Sequence, residues 1–435
     1  APPVAGRPVA QCARFEEMGV FRQLEDDFDR YRSMSPEHLA IYDGFCARRR
    51  RACVTVRILR GVPYVLDLFP AYQSRIKATL LGIYRALQRL GPTPDTEVVI
   101  DVTDGELQNI DLPVLVITHR AAMPAGILYP DFTFFSWPES ACPPEEPSHA
   151  YGHLLEGFAA WTHSAAPWAN RSDVLFWRGA HVDDAGGRER ALQHLASAPG
   201  VDAEFIAWRA VSPTGQNEAT GYTGLLAQCG HRYLAFLAGT TYSSRLKFQL
   251  LCGSTVLAAQ PEFVEWWTRL LRPGEHFAEV APDWSDGPDV LARLRAREGE
   301  ARAIAARGQR LARVALAVAA VDCYWWRLLA TAAEALPAPG ALPAHARPLE
   351  DVLLWPEGVV LTEAAGGPVG GAPQQLVRPR PELQDLRCFV DTGLLWDHCC
   401  DTEQFGPEGD PRCWELGGDG FDFERCCLGR GGSAG

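Results

Sequence analysis

The 435-residue sequence lacks any run of about 18 apolar residues, so no membrane-spanning helix is expected in this chain. It also lacks an excess of positive charge, because 41 Lys and Arg face 54 Asp and Glu and give a formal net charge of −13. Affinity for a phosphate backbone comes from clustered Lys and Arg, so nucleic acid is not an expected partner. The run Arg48–Arg51 is interpreted as a solvated surface stretch. At 47% hydrophobic and 22% charged, the composition is that of a globular protein.

Several motifs of known chemistry are also missing. Gly-x-Ser-x-Gly occurs only at Gly431–Gly435 and not between a predicted strand and helix, which weakens a hydrolase interpretation, and the Walker loop and Gly-x-Gly-x-x-Gly are absent. His149 and His153 have the spacing of metal ligands but lack the glutamate of HExxH, so no metal site is expected there. Asp27 and Asp29 form an Asp-x-Asp pattern on a predicted amphipathic helix rather than after a strand. That position favours a solvated acidic face over a metal site.

Cysteine, in contrast, is plentiful and clustered. Six of the 13 cysteines lie between Cys388 and Cys427, which favours a disulfide-stabilised tail over a zinc site. Asn170-Arg171-Ser172 is a glycosylation sequon that fits the same oxidising environment. We therefore expect this protein in the lumen of the secretory pathway (endoplasmic reticulum or Golgi) or outside the cell.

The second half of the chain alternates strands with helices. Strands are predicted at 173–176, 203–207, 233–237, 255–258 and 276–280, with helices at 188–197 and 243–251 and a helical region reaching about residue 336. Such alternation is typical of parallel sheets with right-handed crossovers. The pattern predicts a Rossmann-like domain over 171–335.

The rest of the chain is less regular. Residues 1–170 are predicted as a helical and α/β domain, with a strand at 53–59, a helix at 72–90, and buried strands at 97–102 and 112–117. A Pro- and Ala-rich linker is expected at 336–350, followed by a Cys-rich tail at 351–435.

The segment Gly239–Lys247 is a candidate anion site, because it lies between a predicted strand and a predicted helix and is rich in small hydroxyl residues. Ser243 and Ser244 stand at the helix start, where backbone N–H groups and the helix dipole attract anions. Arg245 could add a bidentate contact to a phosphate. An ordinary N-capped helix with a surface arginine remains the alternative.

Arg178 is a second candidate cation, at the end of the strand that opens the Rossmann-like domain. Ligands of open α/β sheets bind outside the carboxyl ends of the strands, which is where Arg178 is expected. It could equally pair with a structural carboxylate. Asp202 and Glu204, which bracket the next strand, could bind a ribose or base, or be merely solvated.

A candidate general base follows the buried strand at 97–102. Asp101 and Asp104 both stand at its end, and Asp111 lies further along in a loop. A carboxylate at a strand end beside a cleft can take a proton from a substrate hydroxyl. Strand ends also carry aspartate simply to cap turns.

Beyond these local patterns, the sequence resembles glycosyltransferase family 90, which includes capsule-associated xylosyltransferases and Rumi-type protein O-glucosyltransferases. The resemblance covers roughly residues 90–335 and is specific in the order and spacing of its elements. The segments that carry it are 99–104, 129–134, Phe176–Gly179, Val201–Phe205, His231–Leu234, Gly239–Lys247, Leu251–Leu257, Trp266–Trp267, Leu271–Phe277, 305–308 and Asp322–Trp325.

The resemblance implies a GT-B-like α/β fold, in which two Rossmann-like domains face a cleft. It implies an inverting transferase that moves xylose or glucose from a UDP-sugar to a hydroxyl of a glycan or glycoprotein. Asp104 aligns with the family's catalytic base, and Arg178 and Arg245, with the N–H groups near Ser243 and Ser244, would stabilise the departing UDP without a metal.

Three further expectations complete this interpretation. A loop near the acceptor is implied for Tyr129, Asp131 and Phe132, and Asp202 is expected on the nucleotide side. No cofactor other than the UDP-sugar co-substrate is expected. The alternative is a noncatalytic relative that binds a glycan or partner, with the Cys-rich tail as its interaction module.

Overall fold

A computed structural model describes residues 10–32, 45–46, 52–69, 73–106, 112–137, 150–161, 167–182, 187–210, 217–354, 360–362, 367–369, 399–400 and 422–428. Asp111, His149, the run Arg48–Arg51 and most of the Cys-rich tail lie outside these residues. The described part of the chain forms two α/β units, called here the first and second unit. Each is built around its own sheet.

The first unit contains a mixed eight-stranded sheet. Its strands are β1 (Cys53–Leu59), β2 (Val62–Leu68), β3 (Thr96–Asp101), β4 (Leu115–Val116), β6 (Ile127–Leu128), β14 (Arg347–Pro348), β15 (Val360–Thr362) and β16 (Gly367–Val369). Their order is β16-β15-β2-β1-β3-β4-β6, with β14 also on β2. Strands β3, β4 and β6 are parallel, whereas β1 is antiparallel to both β2 and β3. Only the parallel side of this sheet is therefore Rossmann-like.

The second unit contains a six-stranded sheet in the order β13-β11-β10-β7-β8-β9. These strands are β7 (Ser172–Ala180), β8 (Val201–Ala210), β9 (Asn217–Thr220), β10 (His231–Phe236), β11 (Thr255–Ala258) and β13 (Ala278–Glu279). All neighbours are parallel except the β8–β9 pair at the edge. The strand order reverses between β7 and β10, and that switch point is where such sheets bind ligands.

Helices cover both sheets, and a small ribbon of β5 (His119–Arg120) and β12 (Phe263–Val264) links the units. The helices are α1 (Ala13–Glu17), α2 (Arg22–Asp29), α3 (Gln73–Leu90), α4 (Tyr151–Ala160), α5 (Gly187–Leu195), α6 (Arg245–Leu251), α7 (Gly287–Ala296), α8 (Glu298–Ala315), α9 (Val318–Ala335), α10 (Leu349–Leu353) and α11 (Phe423–Leu428). One apolar cluster runs from the first sheet into α6, and a second lies between the second sheet and α5, α7 and α8.

Helix α9 follows the second unit in sequence but packs against α3 and β3 of the first. Its buried Asp322 accepts hydrogen bonds from Arg85 at 2.7 Å and Arg89 at 2.9 Å. A disulfide between Cys12 and Cys323 joins the same helix to the N-terminal region. The chain therefore crosses between the units more than once, and the division at residues 170, 335 and 350 stays a prediction.

Two α/β units around a cleft confirm the GT-B-like architecture that was expected. The predicted strand 53–59, the helix 72–90 and the strands around 233 and 255 all form within a few residues of their expected bounds. The run 112–117 is a strand only at Leu115–Val116, and β2 was not predicted at all. Tail residues Cys399, Cys400, Cys426 and Cys427 are disulfide-bonded, which confirms the disulfide interpretation for these four.

The prediction that Asp27 and Asp29 form a solvated acidic face is wrong for Asp27. Its side chain is buried, and Oδ2 accepts a hydrogen bond from the backbone N–H of Leu128 at 3.0 Å. Arg30 lies 3.3 Å from Oδ1 of the same carboxylate. Asp27 thus joins α2 to β6, and only Asp29 faces solvent.

Within the described residues, no single helix combines the length and the apolar character needed to cross a bilayer; α8 and α9 meet the test only as a pair bent by 53°.

Candidate functional site

A cavity of about 410 Å³ opens between the two units, at the carboxyl ends of β7 and β10. The first unit contributes Arg75, Asp104, Phe132 and Trp137 to its wall. The second unit contributes the end of β7, the start of α5 and the loop 239–244 with the first residue of α6. The switch point of the second sheet therefore faces a carboxylate that follows β3 of the first.

The two aspartates at the end of β3 have different environments. Asp101 is 1% exposed, and its Oδ1 accepts a hydrogen bond from the backbone N–H of Thr103 at 2.8 Å, so it caps the turn after the strand. The Asp104 side chain is 63% exposed and lines the cavity. Arg75 lies 3.7 Å from its Oδ1. Of the two, Asp104 is the carboxylate that a substrate can reach.

Arg178 lines the cavity but already has an anionic partner. Its Nη2 lies 2.6 Å from Oδ1 of Asp202 and 3.8 Å from Oε2 of Glu204. Nη1 donates to the Asp202 carbonyl at 3.1 Å. Asp202 thus orients Arg178 from the neighbouring strand, and neither Asp202 nor Glu204 is part of the cavity wall.

Arg245 lies deeper, where the chain packs tightly around it. Its Nη1 donates to the Arg178 carbonyl, and its guanidinium lies 5.8 Å from the centre of the Trp177 ring. A Cβ on Gly179 would overlap that ring and come within 3.0 Å of Nη2, so only glycine leaves this space. Gly179 therefore lets β7 approach Arg245 closely.

Burial, together with the nearby positive charge of Arg188, lowers the pKa of Arg245 to about 9. Among the residues that the structure describes, no carboxylate lies within ion-pairing distance of Arg245. A partly buried cation without an anionic partner carries a desolvation cost, and binding an anion lowers that cost. The second-unit side of the cavity is accordingly suited to a negatively charged group.

Ser243 and Ser244 line the cavity as expected, but their hydroxyls also have partners within the protein. Arg245 Nε lies 3.4 Å from the Ser243 hydroxyl oxygen. The Ser244 hydroxyl donates to Asp131 at 3.1 Å. In the same loop, the Thr241 hydroxyl donates to the backbone carbonyl of Asp104 and so connects the two walls.

The three residues expected on the acceptor side have separate positions. Phe132 lines the cavity, with the Arg75 guanidinium 4.8 Å from the centre of its ring. Tyr129 is fully buried behind it and donates its hydroxyl proton to the Asp101 carbonyl at 3.1 Å. Asp131 is 2% exposed and lies between the units, beneath the cavity wall. Of the three, only Phe132 lines the cavity.

The family assignment follows from comparison with known sequences. The sequence model described as Glycosyl transferase family 90 matches residues 10–353, which is most of the chain. The chain belongs to glycosyltransferase family 90. Its membership confirms the resemblance found in the sequence, and it makes this protein a glycosyltransferase.

Curated relatives of the family agree with this assignment. Protein O-glucosyltransferase 1 of Rattus norvegicus is 28% identical over 324 residues, which cover 69% of this chain and 78% of the relative. O-glucosyltransferase rumi of Drosophila pseudoobscura pseudoobscura is 26% identical, covering 60% and 64% of the two chains. A crystal structure of Anabaena Alr3699/HepE in complex with UDP-glucose matches with a TM-score of 0.28 and 14% identity, over 44% of this chain and 54% of that one.

Two cavity arginines of this glycosyltransferase were missed in the sequence. Arg188, at the start of α5, donates to the carbonyls of Ala180 at 2.6 Å and Ala238 at 2.7 Å, so it ties together the ends of β7 and β10. The Gly-rich approach to α5, directly after a switch-point strand, is a signal that could have found it. Arg75 gave no such signal, because it lies within a long amphipathic helix.

The described residues contain no group of three or more His, Cys, Asp or Glu side chains arranged to hold a metal ion. His153 is half-buried on α4, and burial lowers its pKa. The expectation that the enzyme needs no metal stays a prediction.

Proposed function

We propose that this family 90 enzyme transfers a sugar, glucose or xylose, from a UDP-sugar to a hydroxyl of a glycan or glycoprotein, with inversion at the anomeric carbon. One observation carries the proposal: an accessible carboxylate, Asp104, lines the same cavity as Arg245, which pairs with no carboxylate among the described residues, and the two lie on opposite units. A sugar between them would have a base on one face and a bound diphosphate on the other.

The chemistry assigned to these groups is a single displacement. The acceptor oxygen attacks the anomeric carbon from the face opposite the UDP and gives its proton to the Asp104 carboxylate. The bond between that carbon and the phosphate oxygen breaks, and its electron pair leaves with UDP. Arg245 and Arg178 stabilise the growing negative charge on UDP. This electrostatic stabilisation is strongest in a site that excludes water. Inversion follows because the attack and the departure occur on opposite faces.

The relatives favour glucose over xylose as the transferred sugar, because they are named O-glucosyltransferases. This chain matches them over 78% of their own length. The same relatives favour a protein-bound acceptor. Charge also fits a nucleotide diphosphate, since Arg75, Arg178, Arg188 and Arg245 all line one cavity.

The first test is turnover by the purified full chain with a panel of UDP-sugars, with and without EDTA. UDP-glucose should be hydrolysed or transferred at the same rate in EDTA. Loss of turnover in EDTA would contradict the metal-free mechanism. The absence of both turnover and UDP binding would contradict the proposed function.

The second test separates the base from its neighbour. Asp104→Asn should lower turnover by about a hundredfold or more, because a general base contributes on that scale, with UDP affinity unchanged. Asp101→Asn should instead lower thermal stability, with turnover of the folded enzyme retained. Normal turnover of Asp104→Asn would rule out its role as base.

We also propose that the enzyme works in the lumen of the secretory pathway or outside the cell. Disulfides at Cys46–Cys53, Cys229–Cys252 and Cys400–Cys427, in addition to the Cys12–Cys323 bond, support an oxidising compartment. Asn170 of the sequon is exposed before β7, at the end of the strand away from the cavity. Secretory expression should yield protein whose electrophoretic mobility changes on treatment with peptide N-glycosidase, and Asn170→Gln should abolish that change.

A further inference from the structure

Buried polar contacts join the two units beneath the cavity. The Asp131 carboxylate of the first unit is 2% exposed. Its Oδ2 accepts hydrogen bonds from the Tyr242 hydroxyl at 2.9 Å and the Ser244 hydroxyl at 3.1 Å. The ammonium of the fully buried Lys247 lies 3.3 Å from Oδ1. Three groups of the second unit therefore converge on one carboxylate of the first.

Asp131 is also fixed from its own side. The Thr133 hydroxyl lies 2.9 Å from Oδ1 and 3.1 Å from Oδ2 of Asp131. Thr133 is completely buried and is not part of the cavity wall. The next residue, Phe134, places its ring centre 4.3 Å from the Lys247 ammonium. The short helical turn Phe132–Phe134 thus determines where the carboxylate lies.

The second-unit partners are neighbours of the cation that is proposed to bind the diphosphate. Tyr242 and Ser244 belong to the loop that leads into Arg245, and all three residues line the cavity. Lys247 lies half a turn further along α6. Hydrogen bonds to a buried charge are strong and directional, so a change at Asp131 would be transmitted to the position of this loop.

We propose that Asp131 is a positioning residue for donor binding. Through Tyr242, Ser244 and Lys247 it holds the loop 239–244, and with it Arg245, in the geometry that grips the donor diphosphate. The inference rests on the proposed function, and it differs from the acceptor contact that the family resemblance implied for Asp131. A buried carboxylate with this set of partners acts on the donor side of the site.

Titration of UDP into the full chain, together with the kinetics of UDP-glucose hydrolysis, tests the inference. Asp131→Asn keeps the size of the side chain and removes its charge. We expect its UDP affinity to fall about tenfold or more, the scale of one hydrogen bond to a charged group. The KM for UDP-glucose should rise with the kcat of hydrolysis nearly unchanged, whereas an acceptor contact alone would leave both UDP affinity and this KM unchanged.

Thr133→Val provides a second, milder variant, because it removes a hydroxyl that no ligand can touch. Its UDP affinity should fall several-fold, on the scale of one hydrogen bond. This variant decides the matter if Asp131→Asn does not fold. Wild-type UDP affinity in both variants, or in Thr133→Val alone if only that variant folds, would overturn the inference.

Asp322→Asn is the matched control, since Asp322 is a buried carboxylate that pairs with Arg85 and Arg89 away from the cavity. It should lower the melting temperature with UDP affinity unchanged. An equal loss of UDP affinity in the control would show a general effect of stability and overturn the inference. Failure of the wild-type chain to bind UDP would instead overturn the proposed function, and this inference with it.

Discussion

The hydroxyl of Thr241 donates a hydrogen bond to the backbone carbonyl of Asp104, across the cleft between the two units. The loop that carries the donor-side residues is thereby in direct contact with the residue proposed as the base. This hydrogen bond fixes the position of Asp104 relative to the loop 239–244.

Thr241→Val should lower turnover several-fold, because it removes about 1 kcal/mol of hydrogen bonding that positions Asp104. UDP-glucose turnover of the purified variant is the measurement. Thr118→Val is a suitable control, since the Thr118 hydroxyl donates to the Val264 carbonyl at 2.9 Å, a similar contact away from the cavity. Equal losses in the two variants would contradict a specific role for Thr241.

Gly179→Ala should weaken UDP binding about tenfold or more, because the added methyl group would displace Arg245 and loss of a charged contact has an effect of this size. Calorimetric titration of UDP measures the change. Gly230→Ala, in the turn directly before β10, should bind UDP normally, since nothing lies within 4 Å of a Cβ there. Wild-type affinity in Gly179→Ala would show that Arg245 is not part of the nucleotide site.

Glu265 should make stability depend on pH. Burial raises its pKa from 4.5 to about 8; Lys247 opposes that rise and Asp131 adds to it. The unfolded chain loses this proton near pH 4.5 and the folded chain keeps it until about pH 8, so the free energy of unfolding falls as pH rises between these values. The slope should approach about 1.4 kcal/mol per pH unit.

The range from pH 7 to 8 is best for this measurement. Burial lowers the pKa of His153, His231 and His276 in the folded protein, and in the unfolded chain these groups, with a pKa near 6.5, are mostly neutral above pH 7. Urea unfolding across this range should give a falling free energy for the wild type and a flatter profile for Glu265→Gln. Parallel profiles would mean that Glu265 is ionised in the folded protein.

Removing the Cys229–Cys252 disulfide by a double substitution to serine should lower the free energy of unfolding by about 3 kcal/mol. This disulfide closes a loop between cysteines that are 23 positions apart in the sequence. The loop 239–244 lies inside it. The Cys46–Cys53 pair, with a separation of 7, should contribute about 2 kcal/mol by the same chain-entropy argument. A larger loss for the shorter loop, in urea unfolding under non-reducing conditions, would contradict that account.

Local sequence patterns were enough to predict the parallel strands of the second sheet and to place a candidate base at the end of β3. Alternating strands and helices place Arg178 and the loop 239–244 at the carboxyl ends of β7 and β10, because parallel strands share an edge. These local patterns left Asp101 and Asp104 as alternatives, and only the family resemblance favoured Asp104. The structural difference between them arises in the turn after β3, where the Asp101 carboxylate accepts a hydrogen bond from the backbone N–H of Thr103.

Long-range packing explains what the sequence could not reveal. Asp131 is separated from Ser244 by 113 positions, and nothing in either segment indicates that they meet. Helix α9 packs on the first unit through another contact that is distant in sequence, the pairing of Asp322 with Arg85, 237 positions apart. The parts of the site that depend on contact between the units therefore required the three-dimensional structure.

The bond between Cys12 and Cys323 turns the polypeptide from residue 12 to residue 323 into a covalent ring. Both the cleft and the two sheets' central strands lie within this ring. A protease that cuts the ring once therefore cannot release a fragment, and the two pieces stay linked until the bond is reduced. A single cut in the ring therefore leaves the two units covalently joined, a useful property for an enzyme proposed to work in the secretory pathway or outside the cell.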